Sequence, residues 1–382
     1  MPPAPLRIVH LTMDHPADDA RVYSKEIRAL REVYGEVTLA APPAFDPAWI
    51  GASGAGLTWK ELPWYRSPVR LWRNWMAANR VVRSLPGPRI VHVHEPESAV
   101  AAWLFRWCDR RSLIFDAHED YPALRSHHGR GVRRLVIRGF TGLLDRVAAR
   151  VAGHVITVNE ELRGRYERLG ARTSVVSNAC EDIPDDRLPP ARDPGRVVYV
   201  GGLSEPRGIP CLIDAVESLL ADGVDARLDL AGRVLDEAAG ARIASATRAH
   251  PDRIRYHGRI SRDEVFALLG ECSIGVVPFE RVSFFEGRPV KLLEYATAGN
   301  ALVVTDQGPK AAFVREHGCG AVVPPGDRAA LAAAIRERIE DGGVRARAEG
   351  GRARFAARAL NWEHVDRPVL LSVYEEVVRA SA

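Results

Sequence analysis

No C-x-x-C pair occurs among the five cysteines (Cys108, Cys180, Cys211, Cys272, Cys319), and their number is odd. Neither a disulfide framework nor a zinc knuckle is indicated, and buried free thiols in a reducing compartment are expected. No run of 18 apolar residues occurs, so no transmembrane helix is expected. The N-terminal MPPAPLRIVHLT runs straight into a strand pattern without the apolar region of a signal peptide, and a cytoplasmic chain is expected. Charge of one sign is lacking too. The net +4 makes no case for nucleic acid, though it suits anionic small molecules or an anionic membrane face. Lysine is scarce beside arginine. What remains is 46% apolar and 27% charged, a globular composition in 382 residues, too long for one ordinary core.

Short apolar runs alternate with amphipathic segments. In the first half the runs are 6–12, 36–41, 90–95, 112–119, 154–158 and 173–179, with helical patterns near 20–33, 98–109, 130–150 and 159–169. This rhythm predicts a parallel sheet covered on both faces. EDIPDDRLPPARDPG, 181–195, has no apolar periodicity and reads as a linker. The rhythm then restarts with RVVYVGG (196–202) and five further strand patterns. The expected fold class is α/β, two doubly wound Rossmann-like domains facing a cleft. The expected domains are 1–185 and 186–360, with 361–382 as a C-terminal helix returning to the first domain. In such sheets ligands bind beyond the carboxyl ends of the strands.

Two features of the second half point to a diphosphate. VGGLSEPRG, 200–208, runs from a strand into Gly201-Gly202, where the backbone can approach a ligand closely, with Arg207 beside it. A plain structural turn would look the same. FEGRPVKLLE, 285–294, starts a helix with Pro289, leaving the next amides free to face a phosphate. Glu286 lies before that helix and Glu294 within it. A carboxylate at 294 can accept two hydrogen bonds from a ribose diol. For a single Glu a solvated side chain is the simpler reading; two at this spacing weaken it.

These motifs, with EYATAGNALVVTD and GAVVPPGD, resemble the donor domain of retaining GT-B glycosyltransferases of family 4. The first half, with HPADDARV (15–22), VHVHEPE (91–97) and FDAHEDYP (115–122), resembles the acceptor domain of one subgroup. The resemblance implies transfer of a sugar from a nucleotide-diphosphate sugar, with UDP-sugars favoured, to a glycan, lipid-linked or natural-product acceptor. It implies no resident cofactor or metal. By position it places Gly201, Gly202, Arg207, Arg288, Val290, Lys291 and Glu294 at the donor, and Glu286 at the transferred sugar. His118 would orient the donor sugar or the acceptor rather than act as a general base. YHGRI (256–260) would line the nucleobase pocket. Two departures stand out. Gly202 replaces the first of a basic pair, which Lys291 or Arg288 would compensate. The loop TMDHPADDAR (12–21) lacks the usual glycines, leaving Arg21 to fill the space near the phosphates.

Asp19, Arg21, His94, Glu95, Glu119 and Asp120 are the expected acceptor or cleft residues. On a strand, Phe115, Ala117 and Glu119 alternate with Asp116, His118 and Asp120, so these polar groups are not expected to converge on a metal. The segments 64–84 and 130–150 combine arginines with apolar residues. Peripheral membrane contact and a core helix with a solvated arginine face are both open, and the core helix is the simpler reading. Three other functions compete: a nucleotide-sugar epimerase of this architecture, an inactive binding subunit, and a zinc hydrolase built on the His/acid stretches.

Overall fold

The computed structural model describes residues 7–45, 56–65, 71–87, 89–126, 131–177, 179–183, 188, 192–280 and 290–381. The chain divides into two compact units. The first comprises residues 1–178 and 362–382, and the second residues 179–361.

The sheet of the first unit has seven parallel strands in the order β3-β2-β1-β4-β5-β6-β7. They are β1 (Arg7–Leu11), β2 (Val37–Ala41), β3 (Leu57–Glu61), β4 (Arg89–Val93), β5 (Leu113–Ala117), β6 (His154–Thr157) and β7 (Thr173–Val175). Of the inner strands, β2, β5 and β6 are buried along their whole length and β1 and β4 along all but their first residue, which is why they read as near-continuous apolar runs. β3 falls outside the strand runs expected from the sequence. As an edge strand it carries Lys60 and Glu61 exposed, so its composition is that of a loop. The strand order reverses between β1 and β4, and the loops after these strands therefore meet at the switch point. A π-helical segment, Ala20–Ile27, runs into the helix Arg28–Tyr34. The final helix, Arg367–Ser381, buries Leu370, Val373, Tyr374 and Val377 against Ile8, Ile27 and Leu39.

The helix Gly131–Val151 differs from a simple core helix. Thr141, Leu144, Asp145 and Ala148 are buried, whereas nearly every residue from 131 to 140 is exposed.

The second unit repeats the plan with six parallel strands in the order β10-β9-β8-β11-β12-β13. They are β8 (Asp193–Val200), β9 (Arg227–Ala231), β10 (Ile254–Tyr256), β11 (Cys272–Val277), β12 (Ala301–Thr305) and β13 (Gly320–Val323). β8 starts inside the segment expected to be linker; most of the remainder of that segment lies outside the described residues. The helix Arg262–Glu271 opens with the Ser261/Glu264 capping box. The switch point falls between β8 and β11, which places the Gly201-Gly202 turn there. Gly208 is required at this point. Its φ is +73°, and a Cβ would lie 1.8 Å from the Pro278 carbonyl oxygen after β11.

Candidate functional site

At the carboxyl end of β8 the backbone turns through Gly201, at φ +130°. Two cations converge on the turn. The Lys291 amine donates to the Tyr199 hydroxyl at 2.7 Å and sits 4.1 Å from the centre of that ring. The Tyr199 hydroxyl donates to the Gly202 carbonyl at 2.9 Å, and Arg207 Nη1 reaches the same oxygen at 3.4 Å. The absence of side chains makes this possible. A Cβ on Gly201 would stand 2.8 Å from the Lys291 amine, and one on Gly202 would stand 2.7 Å from Arg207 Nη1. Arg207 and Lys291 are thus the two basic side chains beside this turn among the described residues. Burial, helped by the nearby Arg207 charge, draws the Lys291 amine well below its usual pKa. An arriving diphosphate would reverse that pressure.

The helix Val290–Ala298 carries both Lys291 and Glu294. It is fixed by Tyr295, whose hydroxyl accepts from the Val200 amide at 2.7 Å and whose ring lies where a Cβ on Gly275 would be. The Glu294 carboxylate is 15% exposed, and its nearest cation is Arg262 at 3.9 Å. Among the described residues no closer hydrogen bond engages it. Arg262 itself reaches Glu181 at 2.6 Å. Glu286 and Arg288 lie outside the described residues, as does the side chain of Val290. In YHGRI, His257 bonds Asp229 at 2.7 Å and the Tyr256 hydroxyl bonds the Gly232 carbonyl.

In the first unit the alternation expected on FDAHEDYP puts Asp116 and His118 together and leaves Glu119 out of their cluster, and groups from other strands join them. Asp116 in β5 and His118 just past its end lie two residues apart on one side, and His92 in β4, with His94 just past its end, faces the same side. β1 adds His10, in register with His92. The result is a continuous cluster. His118 Nε2 is 2.9 Å from Asp116 Oδ2 and 3.1 Å from His94 Nδ1. His94 Nε2 meets His10 Nδ1 at 3.1 Å, and His10 Nε2 meets the Tyr374 hydroxyl at 2.9 Å. That hydroxyl also lies 2.8 Å from His92 Nδ1. Burial lowers the pKa of all four histidines, that of His118 to about 4 against the pull of Asp116.

Arg21 is the counter-cation of this cluster. Its Nη2 donates to both Asp116 oxygens at 2.9 Å, Nη1 donates to the Val176 carbonyl, and Nε lies 2.9 Å from Glu26. The guanidinium is therefore fully engaged inside the unit, which corrects the expectation that it fills space near a phosphate. Burial would raise the Asp116 pKa, but Arg21 outweighs it and holds the carboxyl well below its usual range. Glu26, His92, His94 and Asp116 offer donor atoms within 4.8 Å of one another, a set that could hold a metal ion. Arg21 already supplies the positive charge between Glu26 and Asp116.

The other expected acceptor residues have distinct surroundings. Asp19 caps the helical segment, accepting from the Arg21 and Val22 amides, and bonds His15. Burial works against charge on His15, but Asp19 outweighs it and raises that imidazole to about 9. Glu95 is buried and accepts from the Thr12 and Ser98 hydroxyls and the Met13 and Asp14 amides. Its carboxylate thus holds the glycine-free loop in shape. Glu119 is half-buried; Asp120 pairs with Arg165 at 3.0 Å. Sequence reasoning missed His10, Tyr199 and Tyr374 as members of these sites. Only Tyr199 had a local signal, two residues before the glycine turn.

A family model described as "Glycosyl transferases group 1" matches residues 194–341, and one described as "Glycosyl transferase 4-like domain" matches residues 20–179. The chain belongs to the GT-B glycosyltransferases of family 4 type. Among curated relatives, the phosphatidyl-myo-inositol mannosyltransferase of Mycobacterium leprae is 23% identical over 96% of this chain and 92% of its own. Among solved structures, sucrose-phosphate synthase from Thermosynechococcus elongatus superposes with a TM-score of 0.69 at 19% identity, covering 98% of this chain and 100% of that one. Anabaena Alr3699/HepE in complex with UDP-glucose does so at 0.65 and 15%, with 98% of each chain covered. For this glycosyltransferase the two solved structures bear on the fold alone.

Proposed function

We propose that this glycosyltransferase moves a sugar from a nucleotide-diphosphate sugar, a UDP-sugar before others, to a hydroxyl of a glycan, lipid-linked or small-molecule acceptor, with retention at the anomeric carbon and without a metal. The observation that carries the reading is the convergence of Arg207 and Lys291 on the Gly201-Gly202 turn. Two cations beside a bare backbone turn at a sheet switch point make a diphosphate seat. Glu294, with no close hydrogen-bond partner among the described residues, takes the ribose diol. Glu286, Arg288 and the amide of Val290 complete the donor side.

The transfer step breaks the bond between the anomeric carbon and the diphosphate oxygen and forms one to the acceptor oxygen. The leaving diphosphate takes the acceptor proton. Arg207 and Lys291 stabilise its growing charge, the step where preorganised cations help most. His118, neutral at pH 7, supports the acceptor or the donor sugar by position rather than as a base. A lone pair held on a neutral imidazole can accept from a sugar hydroxyl without carrying the proton away.

The test is a thermal-shift screen with UDP-, GDP-, ADP- and TDP-sugars, since a ligand that binds only the folded chain raises its melting temperature. A shift with one nucleotide class, followed by transfer to added acceptors after dialysis against a chelator, supports the reading. No shift with any of the four would sink it, and loss of transfer on chelation would refute the metal-free step.

A further inference from the structure

A third buried cation stands at the edge of the second sheet that carries the Gly201-Gly202 turn. The helix Gly308–His317 starts soon after β12, and β12, β11 and β8 are parallel neighbours, so its first turn lies at the same carboxyl edge. Lys310 sits in that first turn and is 4% exposed. Its amine lies 5.4 Å from the centre of the Phe279 ring, and the Lys291 amine reaches the same ring at 5.1 Å. One aromatic side chain is thus within cation–π range of both lysines. Its backbone is held in place. Thr305 Oγ1 donates to the Phe279 carbonyl at 2.8 Å, and Gln307 Nε2 to the Glu280 carbonyl at 3.4 Å.

Lys310 is poorly compensated where it stands. An ammonium has three donors, and among the described residues one is used, on Gln307 Oε1 at 2.9 Å. No carboxylate pairs with it among those residues, and Asp306, which acts on it through space, is paired with Arg315 at 2.7 Å. The first turn of a helix is also the positive end of its dipole, the wrong end for a cation. Burial draws the amine down to about 8, so near neutral pH it is still charged. A buried charge without a counter-ion is unfavourable, and a bound anion would relieve both the burial and the dipole. A purely structural role against Phe279 would be met better by an apolar side chain.

The diphosphate does not supply that anion. A nucleotide sugar carries one charge on each phosphate, and Arg207 and Lys291 answer those two. We propose that Lys310 recognises a carboxylate on the transferred sugar, so that the donor is a UDP-linked uronic acid. The Phe279 ring separates the second amine from the first, as a hexose ring separates a C6 carboxylate from the anomeric phosphate. A neutral hexose offers only a hydroxyl there and leaves the ammonium without a counter-ion, which makes it the poorer donor. The inference rests on the Gly201-Gly202 turn as the diphosphate seat and names the class of sugar carried beside it.

The experiment is calorimetry of the full chain with UDP, UDP-glucose, UDP-glucuronate and UDP-galacturonate. UDP should bind, which tests the diphosphate seat alone. At least one uronate donor should bind roughly tenfold tighter than UDP-glucose, because a charge-assisted hydrogen bond replaces a neutral one. Lys310→Met keeps an unbranched side chain against Phe279 and removes the charge. It should abolish that preference and leave the affinity for UDP unchanged. Circular dichroism checks that the variant is folded. If it is not, Lys310→Gln takes its place, and the comparison of donors in the unaltered chain still decides the proposal. Equal affinity for UDP-glucose and both uronates overturns it while the diphosphate seat stands. So does a preference that survives Lys310→Met, or an equal loss of all four ligands, which would make Lys310 a support for Phe279. No binding of UDP removes the UDP-sugar reading and this inference together.

Discussion

His118 Nε2 stands 2.9 Å from Asp116 Oδ2, and that carboxylate fixes the tautomers of a chain of four histidines. A carboxylate only accepts, so His118 must carry its proton on Nε2. His94 Nδ1, 3.1 Å from the same nitrogen, is then an acceptor, and His94 donates from Nε2 to His10 Nδ1. His10 donates from Nε2 to the Tyr374 oxygen, and Tyr374 donates to His92 Nδ1. The order leaves His118 Nδ1 with its lone pair free for a substrate hydroxyl. His118→Ala should therefore slow transfer about a hundredfold while changing donor affinity little. Calorimetry with the donor and a steady-state rate separate the two. Equal loss of both would make His118 a structural residue.

The same burial sets a pH profile for stability. His10, His92, His94 and His118 have folded pKa values below the usual 6.5, that of His118 about 4. Between about 4 and 6.5 the unfolded chain binds more protons, so stability falls as pH drops through that window. His15 has the opposite sign. Its pKa is raised to about 9, so its contribution is present below 6.5 and declines as pH rises toward 9. His154, drawn to about 4, acts with the four histidines, whereas Glu26, Glu95, Glu97 and Glu119, raised by burial, act against them; the histidines should prevail, and melting temperature should rise from pH 5 to 6.5. A melting temperature higher at pH 5 than at 6.5 would contradict this.

Tyr374 ties the last helix to the ends of two strands. Tyr374→Phe keeps the ring and removes one oxygen. It leaves His10 Nε2 and His92 Nδ1 buried without that partner, at a cost of about 1–3 kcal/mol. Urea unfolding should show a lower midpoint with an unchanged slope. An unchanged midpoint would mean that the hydroxyl is dispensable.

How far the sequence could be read depends on whether the signal is local. The inner strands announce themselves because both faces are buried, and β3 does not because one edge is wet. The Gly201-Gly202 turn, Arg207 and the helix bearing Lys291 and Glu294 sit in contiguous motifs, so their grouping is legible. The histidine cluster is not. Alternation along one strand separates Asp116 and His118 from their immediate neighbours, but the register of β1 with β4 brings in His10 and His92. Tyr374 arrives from 364 residues beyond His10, a distance over which sequence spacing carries no information. Arg21 reads from sequence as a group near the phosphates because two of its partners, Asp116 and Val176, are remote in the chain; only Glu26 is near.

Glu294 offers a direct measure of the donor reading. It is only 15% exposed, and its nearest cation, at 3.9 Å, is shared with Glu181. Losing two hydrogen bonds to a ribose diol from a charged acceptor should weaken donor binding tenfold to a hundredfold, or about 1.5–3 kcal/mol. Glu294→Ala tests this by calorimetry with the nucleotide sugar that gives the largest thermal shift. Unchanged affinity would remove Glu294 from the site.

Gly202→Arg restores the cation that the family resemblance leads one to expect, and here it should harm rather than help. The first atom of any side chain at 202 would lie 2.7 Å from Arg207 Nη1 and 2.6 Å from Leu235 Cδ1. The guanidinium of Arg207 occupies the space such a residue needs, so its end would have to swing aside. A new arginine would displace Arg207 and add a like charge beside Lys291, whose amine burial already disfavours. Donor affinity should fall about tenfold, and Gly202→Ala should fall part of the way for steric reasons alone. Tighter donor binding in Gly202→Arg would show instead that the seat is one cation short, and that Arg207 and Lys291 do not make up the difference.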